Sequence, residues 1–154
     1  MLAETIRILV VEARYQESIA RLLLAGAEAA LTGAQVEFDV VSLPGVLEIP
    51  AVVAMAEEDG HRPAGVRYDG YVALGCVIGE DAPQFQPIAA EATRGLMDLS
   101  IGKRLAIGNG VLLTDSEDQA RALADPAKGD AGGAAARACL AVIDVRRRLL
   151  GLSR

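Results

Sequence analysis

Only a few side chains in this sequence are equipped for chemistry, and most of them also have a plain structural explanation. Tyr15 follows closely on the apolar run Ile6–Val11. In a chain with 3% aromatic residues and no Trp it offers a flat face suited to a heteroaromatic ring; local packing of that ring is the plainer alternative. Glu48 comes just after the turn Pro44-Gly45 and reads, at its simplest, as a charge at a helix start. Glu80 and Asp81 stand ahead of Pro83, a residue favoured at the first helical position, and so read as cap and first-turn charges. A helix N-terminus is also a ready anion site, which these two carboxylates would themselves occupy. His61, the one histidine, lies in a polar stretch with no second His or Cys nearby, so no metal site is expected. Cys76 and Cys139 are far apart in apolar surroundings and read as buried thiols of a cytoplasmic protein.

The elements that must position these residues alternate along the chain. Ile6–Val11 is a β-branched and aliphatic run of the kind that forms a strand buried on both faces. Glu17–Leu31 carries Ile19, Leu22, Leu23, Gly26, Ala27 and Ala30 at helical spacing. Val36–Leu43 is a second strand, and Leu47–Glu57 a helix with Pro50 in its first turn, where proline is tolerated. A polar loop, 57–68, leads to a third strand, Gly70–Ile78, and a third helix, Pro83–Leu99. A fourth strand, Arg104–Leu113, is expected to be broken by Gly108 and Gly110. A short helix, Glu117–Ala124, a loop, 125–133, and a last helix, Ala134–Leu150, complete the chain.

Neither a repeat nor a linker interrupts the 154 residues, which fit one domain, 1–154. Strands alternating with helices imply a parallel sheet with right-handed crossovers. Such sheets bind ligands beyond the carboxyl ends of their strands. The segments of interest are therefore 13–16, 44–48, 78–85 and 112–116. A net charge of −6 argues against nucleic acid or anionic membrane as partners, and Arg146-Arg147-Arg148 reads as a helix C-terminal cluster. No apolar run approaches the roughly 20 residues of a membrane span, and the N-terminus lacks the pattern of a signal peptide, so a cytoplasmic location is expected.

Four segments, in order and at matching spacing, resemble the lumazine synthase family. They are Glu12-Ala13-Arg14-Tyr15, then Pro44-Gly45-Val46-Leu47-Glu48-Ile49-Pro50, then Ala73-Leu74-Gly75-Cys76-Val77-Ile78, and finally Ile107-Gly108-Asn109-Gly110 with Asp118-Gln119-Ala120. The likeness covers nearly the whole chain. It implies a flavodoxin-like three-layer α/β sandwich around a four-stranded parallel sheet in the order 2-1-3-4. It also implies an assembly of pentamers, or a multiple of them, with the site between adjacent subunits. The family condenses a ribitylaminouracil with a four-carbon dihydroxybutanone phosphate. A Schiff base forms, phosphate leaves, and the ring closes to the lumazine precursor of riboflavin, without metal or redox cofactor.

The resemblance also implies roles. Tyr15 would stack on the pyrimidine. Val46, Leu47 and Glu48 would hold the ribityl chain. Cys76, Val77 and Ile78 would read the pyrimidine edge through backbone groups. Asn109 falls where the family often has an aromatic from the neighbouring subunit, and could donate a hydrogen bond to the ring instead.

The catalytic corner departs from the family pattern. Gln84 stands at the position of the proton-transferring His and cannot titrate. General acid–base help is worth roughly 10²–10⁴ in rate, so a slower reaction is expected, although holding two reactive substrates together does much of the work. At the phosphate corner, Ala82 replaces a small polar residue, Leu123 an Arg and Ala131 a Lys, while Asp81 adds a carboxylate. Arg121 does not substitute at position 123, because residues two apart face different sides of a helix. Lys128 is a nearby candidate cation. Two classes of function follow: a slow lumazine synthase, or a catalytically impaired relative that binds lumazine- or flavin-type ligands or serves as an oligomeric scaffold. A flavodoxin or receiver module fits worse, since the first strand is followed neither by an acidic cluster nor by a Gly/Ser/Thr phosphate loop.

Overall fold

A computed structural model describes residues 5–79, 84 and 86–151. The chain forms β1 (Arg7–Ala13), α1 (Glu17–Gly33), β2 (Glu37–Leu43), a 3₁₀ turn (Val46–Glu48) and α2 (Ile49–Gly60). It continues through β3 (Gly70–Ile78), α3 (Gln86–Gly102), β4 (Ile107–Thr114), α4 (Glu117–Ala124) and α5 (Ala131–Leu149). The four strands make one parallel sheet in the order β2-β1-β3-β4. This is the flavodoxin-like α/β architecture that the sequence implied.

Alternate residues of the central strands feed two separate cores. Ile8 and Val10 of β1 with Val72 and Leu74 of β3 meet Leu23 and Ala27 of α1 and Cys139 and Ile143 of α5. Leu9, Val11, Tyr71 and Ala73 point the other way, onto Ile49 and Val53 of α2 and Ala92 and Leu96 of α3. Both faces of β1 and β3 are therefore covered, which explains their continuous apolar sequences. Ile8, Val10 and Val11 are 0% exposed, and burying each such side chain contributes about 1.5–3 kcal/mol.

Some boundaries differ from those read in the sequence. β1 runs two residues further, through Glu12 and Ala13, because Glu12 pairs in register with Ser42 on β2 and Leu74 on β3. A charge in a doubly covered strand had disguised its end. The second helix starts with a 3₁₀ turn and runs on to Gly60, so the polar loop is shorter than expected and His61 sits at the helix end. Its ring lies 3.2 Å from Glu57 Oε1 and 3.3 Å from Arg67 Nη2. The third helix is seen from Gln86, Pro83 lying outside the described residues. β4 starts at Ile107, after Arg104 with a positive φ of 56°, and its glycines do not break it. Gly108 is instead where α5 crosses: a methyl there would overlap the Ala135 carbonyl oxygen. α5 begins at Ala131, three residues early, because the Asp130 carboxylate accepts from Gly133 N at 3.3 Å and caps it.

Candidate active site

The carboxyl ends of β1, β2 and β3 converge on a cleft of about 180 Å³, lined by Tyr15, Gly45, Val46, Cys76, Val77, Ile78 and Ile88. A wider groove of about 670 Å³ lies at the opposite end of the sheet, between the starts of β3 and β4 and the ends of α3 and α5. Ligands of open parallel sheets bind beyond the carboxyl ends, and the smaller cleft is the one at that end.

Tyr15 is 68% exposed, so one face of its ring is free to receive a flat molecule. The turn that carries it is firmly held. Arg14 N donates to the Leu43 carbonyl at 2.8 Å, tying the exit of β1 to the exit of β2. Arg14 Nε donates to Glu12 Oε1 at 2.6 Å, and Nη1 to Glu17 Oε1 at 3.2 Å. The hydrogen bond to Glu12 is the main cause that holds the Arg14 guanidinium above its ordinary pKa. Ser42 Oγ donates to the same Glu12 oxygen at 2.7 Å.

The second wall is the 3₁₀ turn. Val46 is buried against β3 because Gly75 has no side chain; a methyl at Gly75 would overlap Val46 Cγ1. A methyl on Gly45 would come 3.0 Å from Glu48 Oε2, so the Glu48 carboxylate folds back over a cleft-lining residue. Leu47 is half-exposed beside it. The third wall is the end of β3. Burial pushes the Cys76 thiol above its ordinary pKa, and its sulfur lies 3.9 Å from Thr114 Oγ1. A thiol so raised is protonated at neutral pH and is not a nucleophile.

The structure thus brings together Tyr15, Val46, Cys76, Val77 and Ile78, with Glu48 and Leu47 at the rim. Asn109 and Leu123 are not in this cleft. Asn109 is exposed on the edge strand β4, with Nδ2 donating to Thr93 Oγ1 at 3.4 Å and Oδ1 accepting from Val111 N at 2.9 Å. Leu123 is exposed on α4. Gln84 is exposed, and Asp81 and Ala82 lie outside the described residues. Sequence reasoning missed Ile88, which looks like any apolar residue of a helix, and Glu12, which stood inside a quoted motif without a role.

The profile of the 6,7-dimethyl-8-ribityllumazine synthase family matches residues 5–147. A 6,7-dimethyl-8-ribityllumazine synthase of Methylocella silvestris is 48% identical over 145 residues, covering 94% of this chain and 88% of the relative. The 6,7-dimethyl-8-ribityllumazine synthase 1 of Rhizobium meliloti is 46% identical and covers 94% of each chain. The chain belongs to the lumazine synthase family. A third relative, a 6,7-dimethyl-8-ribityllumazine synthase of Bartonella tribocorum, is 45% identical over 92% of this chain and 90% of its own. The span matched by the lumazine synthase profile includes all four strands and reaches into α5, so both the cleft and the core beneath it fall inside the family's pattern. No described helix of this lumazine synthase-family chain is long and apolar enough to cross a membrane.

Proposed function

We propose that this chain is a 6,7-dimethyl-8-ribityllumazine synthase of riboflavin biosynthesis, a transferase that joins 5-amino-6-ribitylaminouracil to 3,4-dihydroxy-2-butanone 4-phosphate. The observation that carries the reading is an apolar cleft at the carboxyl ends of a parallel sheet, faced by one exposed tyrosine, in a chain of this family. In this reading Tyr15 stacks on the pyrimidine, and backbone groups of Cys76, Val77 and Ile78 meet its edge. Val46, Leu47 and Glu48 hold the ribityl chain, the Glu48 carboxylate accepting from its hydroxyls. Asn109 and Leu123, on the β4 side of the molecule, complete the cleft of an adjacent subunit in a pentamer. Asp81 and Ala82 belong to the phosphate corner.

Position 84 carries an amide where the family carries an imidazole. Proton transfer then falls to water and to the substrates themselves. The enzyme's contribution is to hold amine and ketone in contact, which removes much of the entropic barrier. That amide is also the observation favouring the second reading, a relative that binds the pyrimidine without turning it over.

Turnover with both substrates, followed by the absorbance of the lumazine product, tests the proposal when paired with a binding titration of the ribityl-pyrimidine on the same preparation. Product formation faster than in buffer is the expected result. A folded protein that binds the pyrimidine and yields product only at the buffer rate sinks the enzymatic reading and leaves the binding one.

A further inference from the structure

We propose that Glu12 is a positioning residue for the pyrimidine end of the cleft: its buried carboxylate ties the exit of β1 to the exit of β2 and so fixes the angle at which Tyr15 is presented. This rests on the reading of Tyr15 as the ring that meets the substrate.

Glu12 is 1% exposed, on the sheet face that carries Ile8 and Val10. Its Oε1 takes two hydrogen bonds, from Arg14 Nε at 2.6 Å and from Ser42 Oγ at 2.7 Å. Each donor sits at the root of one cleft wall. Arg14 immediately precedes Tyr15. Ser42 immediately precedes Leu43, whose carbonyl receives Arg14 N, and three residues later Gly45 starts the opposite wall. A single carboxylate oxygen therefore couples the two walls, and Glu17 on α1 holds Arg14 from a third direction.

Energetics argue against a role in stability alone. Glu12 Oε2 is buried and meets no donor among the described residues. Taking a carboxylate out of water costs the fold free energy that an ion pair only partly returns, and an apolar side chain of similar size often holds such a place as well or better. Glu12 pairs with the buried Leu74 of β3 on one side and with Ser42 of the edge strand β2 on the other, and leucine at position 12 would fit the pattern of its buried neighbours on β1. A side chain that weakens the core while fixing the geometry of two binding loops is a supporting shell for the site.

The test uses the full chain labelled with 3-fluorotyrosine. It has three tyrosines, so the Tyr15 ¹⁹F resonance is identified by its loss in Tyr15→Phe. Affinity for 6,7-dimethyl-8-ribityllumazine is read from that molecule's own fluorescence. Glu12→Leu is expected to melt no lower than the unmodified protein, yet to bind the lumazine about tenfold more weakly, the worth of one lost charge-assisted hydrogen bond. Its Tyr15 resonance should shift and sharpen as the ring gains freedom. Ser42→Ala should move affinity and resonance the same way by less, and Glu12→Gln, which keeps an acceptor for both donors, should restore most of the affinity.

Unchanged affinity and an unmoved resonance in folded Glu12→Leu, while Tyr15→Ala weakens binding, would remove the role of Glu12 alone. Should Glu12→Leu melt far below the unmodified protein, an unmoved Ser42→Ala would likewise overturn it. If Tyr15→Ala itself leaves affinity unchanged, the site assignment fails and this inference with it.

Discussion

The side chain at position 84 sets the chemical ceiling of the proposed site. Gln84 is solvent-exposed, and its amide donates and accepts hydrogen bonds but does not titrate near neutral pH. Among the described residues lining the cleft, Cys76 does not take the place of a titrating group, because burial drives it toward the protonated thiol. Gln84→His should therefore raise kcat by at least about tenfold, toward the roughly 10²–10⁴ that a placed acid–base group supplies. It should also introduce a pH dependence centred near the ordinary histidine value of about 6.5. Steady-state rates from pH 5 to 9 check both, and a variant with unmoved rate and profile means that position 84 does not touch the reacting atoms. At this scale the sequence was legible where a residue type is rare or its position constrained. Tyr15 stands out in an aromatic-poor chain, and Pro44-Gly45 announces a turn. Glu12 was not legible, because nothing in a sequence distinguishes a carboxylate folded inward from one at the surface.

Between elements, close contact is what shapes the cleft. β3 can carry the 3₁₀ turn across its end only because Gly75 leaves room for Val46. Gly75→Ala should cost about 1–3 kcal/mol, as overpacking does, and should weaken lumazine binding in the same protein by moving Val46. Chemical denaturation with a parallel titration reads both, and a loss of stability with untouched affinity would separate Val46 from the ligand. At the other end of the sheet, Tyr68 Oη and Arg7 Nε donate to Asp39 Oδ2 at 2.8 and 3.1 Å and link β1, β2 and the approach to β3. The Tyr68 hydrogen bond, then that from Arg7, holds the Asp39 carboxyl below its ordinary pKa. A carboxylate lowered in the folded state adds stability above its unfolded pKa, about 3.9. That stability is lost as pH falls through the lowered folded value. Asp39→Asn should thus lower Tm only slightly near pH 7, since so exposed a pair contributes little, and the gap should close in acid. A gap that widens in acid would contradict the assignment. Element order and a parallel sheet were readable from the alternation of strand and helix patterns, whereas the strand order came from the family resemblance. The ends of β1, β4 and α5 were not: β1 is extended by pairing with the distant Ser42 and Leu74, β4 starts only after the positive φ of Arg104, and α5 starts early at the cap that Asp130 supplies.

For the molecule as a whole, the distribution of apolar surface is the telling property. Among the described residues neither edge strand has an outer partner, and β2 exposes Val40 and Val41 while β4 exposes Leu113. Ile101 on α3 and Leu149 on α5 are 72% and 83% exposed. Apolar side chains on both edges and on two helices offer surface to neighbouring copies, and edges of different composition suit a head-to-tail ring. With a chain mass of 16.0 kDa, the pentamer that the family resemblance implies should sediment as a closed ring of about 80 kDa. A monomer mass at micromolar concentration would remove the ring and with it any site completed by Asn109 and Leu123 of a neighbour.

The packing of α1 against α5 has a consequence for how the protein is made. Ile19, Leu23, Ala27 and Leu31 of α1 are covered largely by a helix encoded at the other end of the chain. When residue 33 leaves the ribosome, roughly a hundred residues remain before that cover exists, which at about 5–20 residues per second is a wait of several seconds to some twenty. Throughout that interval a greasy stripe is on display in a crowded cell. A ribosome that stalls after β4 would release a chain with all four strands and no lid for its first helix, and such fragments are the natural clients of chaperones and proteases.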